Sequence, residues 1–432
     1  MKLNQELDIF NKYKSLPDKD KLPLIFCAIV LTGLLIGCLV CMINTILGKP
    51  IFPYGTFVFL INRFIDFFDI LRVVILGDNI SNQITYAGHY SPFIYLLLKP
   101  FSMINWIISF WVSIALFIIF TFVYIKRIFK SEWLGIFVAF TVLISYPFLY
   151  AYDRANVEYI LFMFVASFVL CYRKKLFICS AFMLAVAISM KLYPAVLIII
   201  FLAKKQFKYL TYCILFTSIL TFFGFIYIGA NFQGMMNNIN YFNDYAQKFP
   251  LGLIFGHSLF NLIRTPLLFL TDVPDLTNFV KWVSFIQPFY TVIVLLLFGF
   301  ISAYLVFINK KFWKSVLILV LVFISFPYIS QDYTLIYLTI PLVLLFNEEY
   351  TPNMKLYTIL IALLFIPMNW ITWAYPNIYP NVTAIWCYPI TPGLILRPII
   401  ILILLYLLIK EDFTLNHLRI GIREYFTLSK KS

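Results

Sequence analysis

The sequence predicts an all-α, polytopic membrane protein of about 12 spans. Three observations carry that reading. Hydrophobic residues fill 62% of the 432 positions and charged residues only 12%, against roughly 45–50% and 25% in a water-soluble domain. The apolar residues run in blocks of about 16 to 26, close to the 20 or so that carry an α-helix across a hydrocarbon core. Between the blocks, Lys and Arg collect in alternate gaps, as in a chain threaded back and forth with its basic loops in the cytoplasm. Segments of about ten residues with alternating polarity, the mark of a membrane β-barrel, do not occur.

The first span, about 22–46, follows a charged head of 21 residues. Within it, Leu35-Ile36-Gly37-Cys38 matches a lipoprotein cleavage box, but a signal peptide has a shorter apolar region, so the run reads as a membrane helix. A second span at about 101–125 leads to a third at about 133–151 and a fourth at about 157–172, the last two joined by the polar turn Asp153-Arg154-Ala155-Asn156-Val157-Glu158. Between Arg173 and Lys204 the chain must leave the cytoplasm and return within about 28 residues, which leaves room for two short helices, about 176–190 and 192–203. Their tip belongs at Lys191-Leu192-Tyr193-Pro194, because proline lacks the N–H that continues a helix and disfavours helix in the residue before it. Irregular backbone at membrane depth is tolerated only where it is buried in protein or lines a cavity. The remaining spans are about 209–230, 283–308, 315–330, 335–346, 356–372 and 393–410. No repeat of fixed period is visible, and the broken hairpin has no visible counterpart. Residues 1–410 thus read as one transmembrane domain and 411–432 as a cytoplasmic tail.

Two connections are long, about 47–100 and 231–282, and long connections are usually functional. Both fall on the outer side, where they are expected to cover a site. The first contains Tyr54 to Leu76, in which apolar residues recur on one face and Arg63, Asp66, Asp69 and Arg72 follow at steps of three. That spacing puts four charges on one side of a helix, read as lying along the outer interface.

The net charge of +14 is a topology signal rather than a nucleic-acid footprint. Loops assigned to the cytoplasm, both termini included, hold 23 of the 33 Lys and Arg residues and 10 of the 19 acids, a net +13, and the outer side nets +1. Membrane lipids are expected partners and nucleic acid is not. Six of the seven cysteines lie in apolar blocks and only Cys387 in an outer loop, which gives no disulfide framework and no zinc spacing. No dense carboxylate cluster points to a metal site. A phosphate-cradling Gly-rich loop, a His-Glu-x-x-His motif and a cytoplasmic domain able to hold a nucleotide are all missing, so a substrate must arrive from the membrane or the outer face.

Ionisable residues on the outer side and within the membrane are costly and mark functional sites by default. Asp66 and Asp69 are the candidate general bases, since a carboxylate can take the proton of an acceptor hydroxyl as it attacks; the alternative is an ion-pair ladder with Arg63 and Arg72. In the turn before the fourth span, Asp153, Arg154, Asn156 and Glu158 are more polar groups than a turn requires, although Asp153 could simply cap a helix. Lys191, inside an apolar hairpin, needs an anionic ligand or a structural partner such as Asp153 or Glu158. Gly256-His257-Ser258-Leu259-Phe260-Asn261 and Arg264 lie in the second long loop, where His257 could meet a phosphate or cap a helix. Ser330-Gln331-Asp332-Tyr333 forms a tight outer turn, of Asx type in the structural reading. Arg397 is a cation at membrane depth, and His89 stands beside the outer charges. Asn381-Val382-Thr383 fits a glycosylation acceptor pattern.

Several of these pieces occur in an order that resembles a known family. Tyr90-Ser91-Pro92 with Lys99-Pro100-Phe101, Arg154-Ala155-Asn156, Met190-Lys191-Leu192-Tyr193-Pro194, His257-Ser258-Leu259-Phe260-Asn261, and Ser325-Phe326-Pro327 through Asp332-Tyr333 look like the C-type (GT-C) membrane glycosyltransferases. They are most like glycosyltransferase family 87, the polyprenyl-phosphate-mannose-dependent group, over about residues 60 to 400. The resemblance implies an inverting transfer of a hexose, mannose first, from a polyprenyl-phosphate donor to a lipid or polysaccharide acceptor on the outer face of a bacterial inner membrane. It puts the base in the first outer loop, on Asp66 or Asp69, where relatives often carry a single acid. It implies donor-phosphate contacts from Lys191, Arg154, Arg264, Arg397 or His257, and substrate contacts from Asp153, Asn156, Glu158, Tyr193, Asp332, Tyr333 and His89. A lipid-linked donor accounts for the missing nucleotide site, and no other cofactor is implied. Relatives often read Gly-Gln-x-Asn where this chain has Asp-Arg-Ala-Asn, which bears on substrate identity more than on fold. Two other classes fit the span count. A polyprenyl-linked polysaccharide polymerase or ligase would rely on outer-loop arginines rather than an essential aspartate, and a lipid or sugar transporter would show broken helices in matching positions.

Overall fold

The computed structural model describes residues 17–49, 65–76, 90–129, 131–229, 237, 240, 256–270, 276–309, 311–368, 373–374 and 389–429. Each of the 12 expected segments holds helix. The first half comprises α1 (Asp18–Ile46), α2 (Ile65–Leu76), α3 (Pro92–Ser102), α4 (Trp106–Ile128), α5 (Glu132–Leu143), α6 (Tyr146–Arg154), α7 (Glu158–Arg173) and α8 (Phe177–Met190). A 3-10 turn, Tyr193–Ile198, runs into α9 (Ile199–Ala203), followed by α10 (Phe207–Ile228), α11 (Asn261–Leu270), α12 (Leu276–Phe307) and α13 (Phe312–Ser325). A second 3-10 turn, Asp332–Leu338, runs into α14 (Thr339–Leu345), and the chain closes with α15 (Pro352–Leu364), α16 (Gly393–Lys410) and α17 (Leu415–Ser429). Extended structure among the described residues amounts to an antiparallel pair, Trp373 opposite Ile390 and Ala374 opposite Pro389, and a bridge between Gly256 and Gln331.

Among the described residues, five helices are long and apolar enough to cross a membrane, Asp18–Ile46, Trp106–Lys126, Phe207–Tyr227, Asn278–Phe307 and Gly393–Lys410, or six if a bent pair is one span. Large apolar side chains such as Leu35, Met42, Trp111, Ile119, Phe222, Leu295 and Leu296 face outward from them, a pattern stable only where hydrocarbon is the solvent. The shorter apolar helices are shielded instead. Every residue of α13 from Trp313 to Ser325 and every residue of α14 is buried, as befits helices that are apolar nearly all round, with Lys314 paired to acids.

The third expected span is broken, which the hydropathy pattern alone does not reveal. α5 and α6 meet at a 51° bend, where Pro147 interrupts the hydrogen-bond ladder. The Tyr146 N–H at the bend donates to the Phe365 carbonyl at 3.2 Å, so that donor is not left bare at membrane depth. The reading that the 191–194 hairpin lacks a counterpart is also corrected. The segment 332–345 repeats the construction of 193–203, a 3-10 turn running into a short helix.

The bundle has two distinct ends. Helix α7 starts at Glu158 and finishes at Arg173, α13 carries Lys314 near its start and Ser325 at its finish, and α16 carries Arg397 in its first half and ends at a cluster in which the buried Lys314 pairs with Glu411 and Asp412 at 2.9 and 2.5 Å. At 1.5 Å per residue, about 20 Å separates Arg397 from Glu411. Among the described residues, Asp66, Arg154, Glu158, Lys191, Asp332 and Arg397 gather at one end, and the basic clusters gather at the Lys314 end. Helix α17, within the expected tail, folds back there: the Tyr425 hydroxyl donates to the Leu202 carbonyl at 3.0 Å, and its ring meets Phe307 edge-on.

Candidate active site

α2 and α3 lie within the first long connection rather than in the span that follows it. α2 buries Phe67, Ile70, Leu71 and Val74, a stripe at i, i+3, i+4 and i+7 that docks one face of a helix. Asp66, in its first turn, is thereby held beside the end of α6. That helix stops at Ala155, which takes the left-handed conformation (φ 47°, ψ 38°) and donates its N–H to the carbonyls of Ala151 and Tyr152 at 2.9 and 3.2 Å. A non-glycine residue in that region is strained. Here the reversal turns both neighbours of Ala155 onto one carboxylate. Arg154 Nη2 donates to Asp66 Oδ1 at 2.5 Å and Asn156 Nδ2 to Asp66 Oδ2 at 2.7 Å. The same Asn156 amide lies 3.4 Å from the Tyr90 and Tyr333 hydroxyls, and its Oδ1 accepts the Glu158 N–H, the first of α7, at 3.2 Å. The N-cap of α7 is Val157, without a side-chain cap, while Asp153 sits in the last turn of α6. Asp66 is bonded across 88 residues to Arg154, and Arg63 with the side chains of Asp69 and Arg72, the other members of the ladder reading, lies outside the described residues.

A second carboxylate, Glu158, is wrapped. Lys191 Nζ donates to its Oε1 at 2.5 Å, Tyr337 donates to its Oε2 at 2.6 Å, and the Tyr193 hydroxyl bonds that same oxygen. Lys191 reaches it because α8 ends at Met190 and Lys191 turns extended (φ −147°, ψ 142°). The structural partner of Lys191 is thus Glu158. Its ammonium also lies 5.1 Å from the centre of the Tyr90 ring, which links this pair to the Asp66 group.

Asp332 is fully buried. Its Oδ2 accepts from Arg397 Nη1 at 2.6 Å and Tyr146 Oη at 2.8 Å, and its Oδ1 meets His257 Nδ1 at 3.1 Å. These are long-range bonds, not the local Asx turn the sequence suggested. On the far side of the imidazole, Nε2 meets the hydroxyls of Ser330 and Thr334 at 3.2 and 3.3 Å. Burial pushes the His257 pKa below its ordinary value despite Asp332, so the ring is neutral at pH 7. Arg397 also donates to the Ile366 carbonyl at 3.2 Å and stacks over Tyr146. Tyr146 and Tyr150 stack in parallel, and Tyr150 packs against Tyr333, which carries the Asp332 network back to Asp66.

Exposure separates the three carboxylates. The Glu158 side chain is 2% exposed and Asp332 0%, whereas Asp66 is 17% exposed and its partner Arg154 18%. Asp66 accepts two of the roughly four bonds a carboxylate can take, so it retains room for a substrate hydroxyl. Arg264 differs from the other cations: it is buried, donates to Asn261 Oδ1 at 2.6 Å and to the Tyr328 carbonyl at 2.9 Å, and pairs with no acid among the described residues. The side chain of Asp69, the whole of His89, and Asn381-Val382-Thr383 lie outside the described residues. Among those described, no three His, Cys, Asp or Glu residues are close enough together to hold a metal ion.

The structure thus brings Asp66, Arg154, Asn156, Glu158, Lys191, Tyr193 and Tyr333 into one connected group and joins Asp332, His257 and Arg397 to it through tyrosines. The reading of the sequence as single residues missed Tyr146, Tyr150 and Tyr337. Their signal was the need of a buried phenol for a hydrogen-bond partner.

Residues 89–327 match the family model for glycosyltransferase family 87. No curated protein and no solved structure matches the chain.

Proposed function

The chain belongs to glycosyltransferase family 87, a membrane glycosyltransferase, and from that premise we propose that it moves a hexose, mannose first, from a polyprenyl-phosphate donor to a lipid or polysaccharide acceptor. The reading takes the bundle as a GT-C-like domain of about 12 spans in a bacterial inner membrane, with both termini cytoplasmic and the Asp66 end facing outward. Segregation of the basic clusters to the Lys314 end supports that orientation.

The observation that carries the mechanism is that Asp66, alone among the three carboxylates of the group, is partly open while fixed by two donors. Asp66 takes the proton of the acceptor hydroxyl as its oxygen attacks the anomeric carbon. The bond from that carbon to the phosphate oxygen breaks on the opposite face, its electron pair leaves with the polyprenyl phosphate, and the configuration inverts. Lys191, 19% exposed, has ammonium protons left after bonding Glu158 and faces the leaving phosphate, where a low dielectric strengthens the attraction. Arg154 and Asn156 aim Asp66. His257, Arg397 and Tyr146 are spent on Asp332 and act by holding Tyr333 in place. Tyr90 and Tyr333 flank the sugar.

Two segments of matching construction, 193–203 and 332–345, are a feature that transporters share; membership of a glycosyltransferase family favours catalysis over transport. The test is transfer of labelled sugar from polyprenyl-phosphate mannose and polyprenyl-phosphate glucose by the purified protein. Transfer from neither donor would return the choice of donor and acceptor to the start.

A further inference from the structure

Helix α17 has two faces with different surroundings. One is packed on the ends of the spans. Gly421 is buried, and a Cβ there would strike the carbonyl of Phe307, the last residue of α12. One turn on, the Tyr425 hydroxyl donates to the Leu202 carbonyl at 3.0 Å and its ring meets Phe307 edge-on. The Lys205 ammonium donates to the Tyr425 carbonyl and lies 4.4 Å from the centre of its ring. Leu418, half-buried, joins Gly421 and Tyr425 at i, i+3 and i+7, the stripe that docks a helix. At about 3.6 residues per turn, Arg419 and Arg423 fall opposite that stripe, with Ile420 and Ile422 on its two flanks. All four are exposed, Ile420 at 54%.

The depth of the helix decides what the exposed face meets. Phe413, just ahead of α17, packs edge-on against Phe300, about 10 Å inside the end of α12 at 1.5 Å per residue. The Tyr304 hydroxyl, on the same stretch of α12, lies 3.2 Å from both the Leu408 carbonyl and Asp412 Oδ2. The chain thus enters α17 within the depth of the span and passes the end of the span at Gly421, so the helix runs at the level of the headgroups. Its surroundings are basic. The turn between α9 and α10, which α17 touches through Leu202 and Lys205, carries Lys204 and Lys208, and Lys311 follows α12; all three are exposed. The acids of this stretch are Glu411 and Asp412, held by Lys314, and Glu424, exposed on the helix itself. Isoleucines set between arginines on one exposed face suit neither water nor hydrocarbon, but they suit the boundary where acyl chains meet phosphodiesters. A guanidinium matches a phosphate with paired N–H donors.

We propose that the face of α17 formed by Arg419, Ile420, Ile422 and Arg423 is a binding surface for acidic phospholipids, the arginines on the headgroup phosphates and the isoleucines at the edge of the acyl chains. It lies at the Lys314 end of the bundle, the end opposite Asp66. The surface follows from where the spans end and from the pattern of the helix. It depends neither on the sugar transfer nor on which compartment the Lys314 end faces.

The experiment has two arms, both on the full-length protein. In the first, wild type is placed in nanodiscs of phosphatidylcholine alone or with one third phosphatidylglycerol, and hydrogen exchange along α17 is followed by mass spectrometry. Exchange in α17 should slow by about tenfold or more in the discs with phosphatidylglycerol, from two arginines at about fivefold each. In the second arm, phosphatidylglycerol is titrated into the protein in neutral detergent and bound lipid is counted by native mass spectrometry. The double variant Arg419→Gln, Arg423→Gln should bind it about tenfold more weakly than wild type. The variant Arg173→Gln, Lys174→Gln removes the same charge from another exposed turn at that end and should weaken binding far less. Ile420→Ser with Ile422→Ser should weaken binding of both lipids. Equal exchange in the two kinds of disc overturns the proposal, whether α17 is protected in both or in neither. Equal weakening by the two charge variants overturns it as well, because the attraction would then belong to net charge and not to this face. The exchange comparison needs no substitution, so it decides the matter even where the arginine variant does not fold.

Discussion

The guanidinium of Arg154 and the carboxylate of Asp66 meet at 2.5 Å although 88 residues separate them, and Asn156 takes the other oxygen of the same carboxylate. One left-handed residue, Ala155, makes the double contact possible by reversing the chain between its two neighbours. A base for hydroxyl activation needs a fixed direction more than it needs a fixed charge, and this turn supplies the direction.

If Arg154 and Asn156 aim Asp66, Arg154→Gln and Asn156→Leu lower kcat by about 100-fold, the effect of roughly 1 Å of misplacement, with KM for the donor little changed. Steady-state kinetics on both variants check this. A rise in KM at constant kcat contradicts the aiming role.

Ala155 itself is a structural test of the same turn. A β-branched side chain tolerates positive φ poorly, so Ala155→Val lowers stability by about 1–2 kcal/mol and lowers transfer with it. Melting in detergent and the transfer assay on one preparation check both halves of the statement.

Glu158 holds three donors in a buried place. Glu158→Ala strands the Lys191 ammonium and costs about 3–5 kcal/mol. Replacing both, as Glu158→Gln with Lys191→Met, removes the stranded charge and is less destabilising than Glu158→Ala alone. Thermal unfolding of the variants measures the difference, and a double variant as unstable as Glu158→Ala contradicts the pairing.

His257 predicts a pH dependence. Its pKa is lowered in the folded protein, so below the ordinary histidine value of about 6.5 the unfolded chain binds a proton that the folded chain does not. Stability then rises with pH through that window and falls on acidification from about 6.5 downward. His257→Gln flattens the profile between pH 5 and 7, as read by melting temperature across a pH series.

Helix packing can be tested away from the polar group. A Cβ on Gly224 of α10 would lie 2.5 Å from the Phe93 amide nitrogen and 2.7 Å from its Cα, backbone atoms that can move only with α3. Small residues let membrane helices approach in this way. Gly224→Ala costs about 1–3 kcal/mol and, by displacing the helix that follows Tyr90, also slows transfer. Melting and transfer measured together distinguish this from a purely local cost.

Much of this was legible in the sequence because hydropathy and proline placement act locally. The helical segments, the polar turn 153–158 and the hairpin tip at Lys191 and Pro194 all follow from neighbouring residues. Pairing across the bundle does not. Nothing near Asp332 announces Arg397, 65 residues away, and the stacked phenols of Tyr146 and Tyr150 looked like ordinary span residues. The break at Pro147 hid inside an apolar run, and the second 3-10 segment hid because Asp332 read as a local turn. Tertiary hydrogen bonds, not periodicity, decide those places.

The central claim is that Asp66 is the base of a polyprenyl-phosphate-dependent sugar transfer. The most direct measurement compares transfer of labelled mannose and glucose from their polyprenyl phosphates to a membrane lipid extract by wild type, Asp66→Asn and Asp69→Asn, each shown to be folded by its melting curve. The account predicts that wild type transfers label, that Asp66→Asn falls by about 100-fold or more, and that Asp69→Asn retains most of its activity. Transfer surviving in a folded Asp66→Asn protein would contradict it.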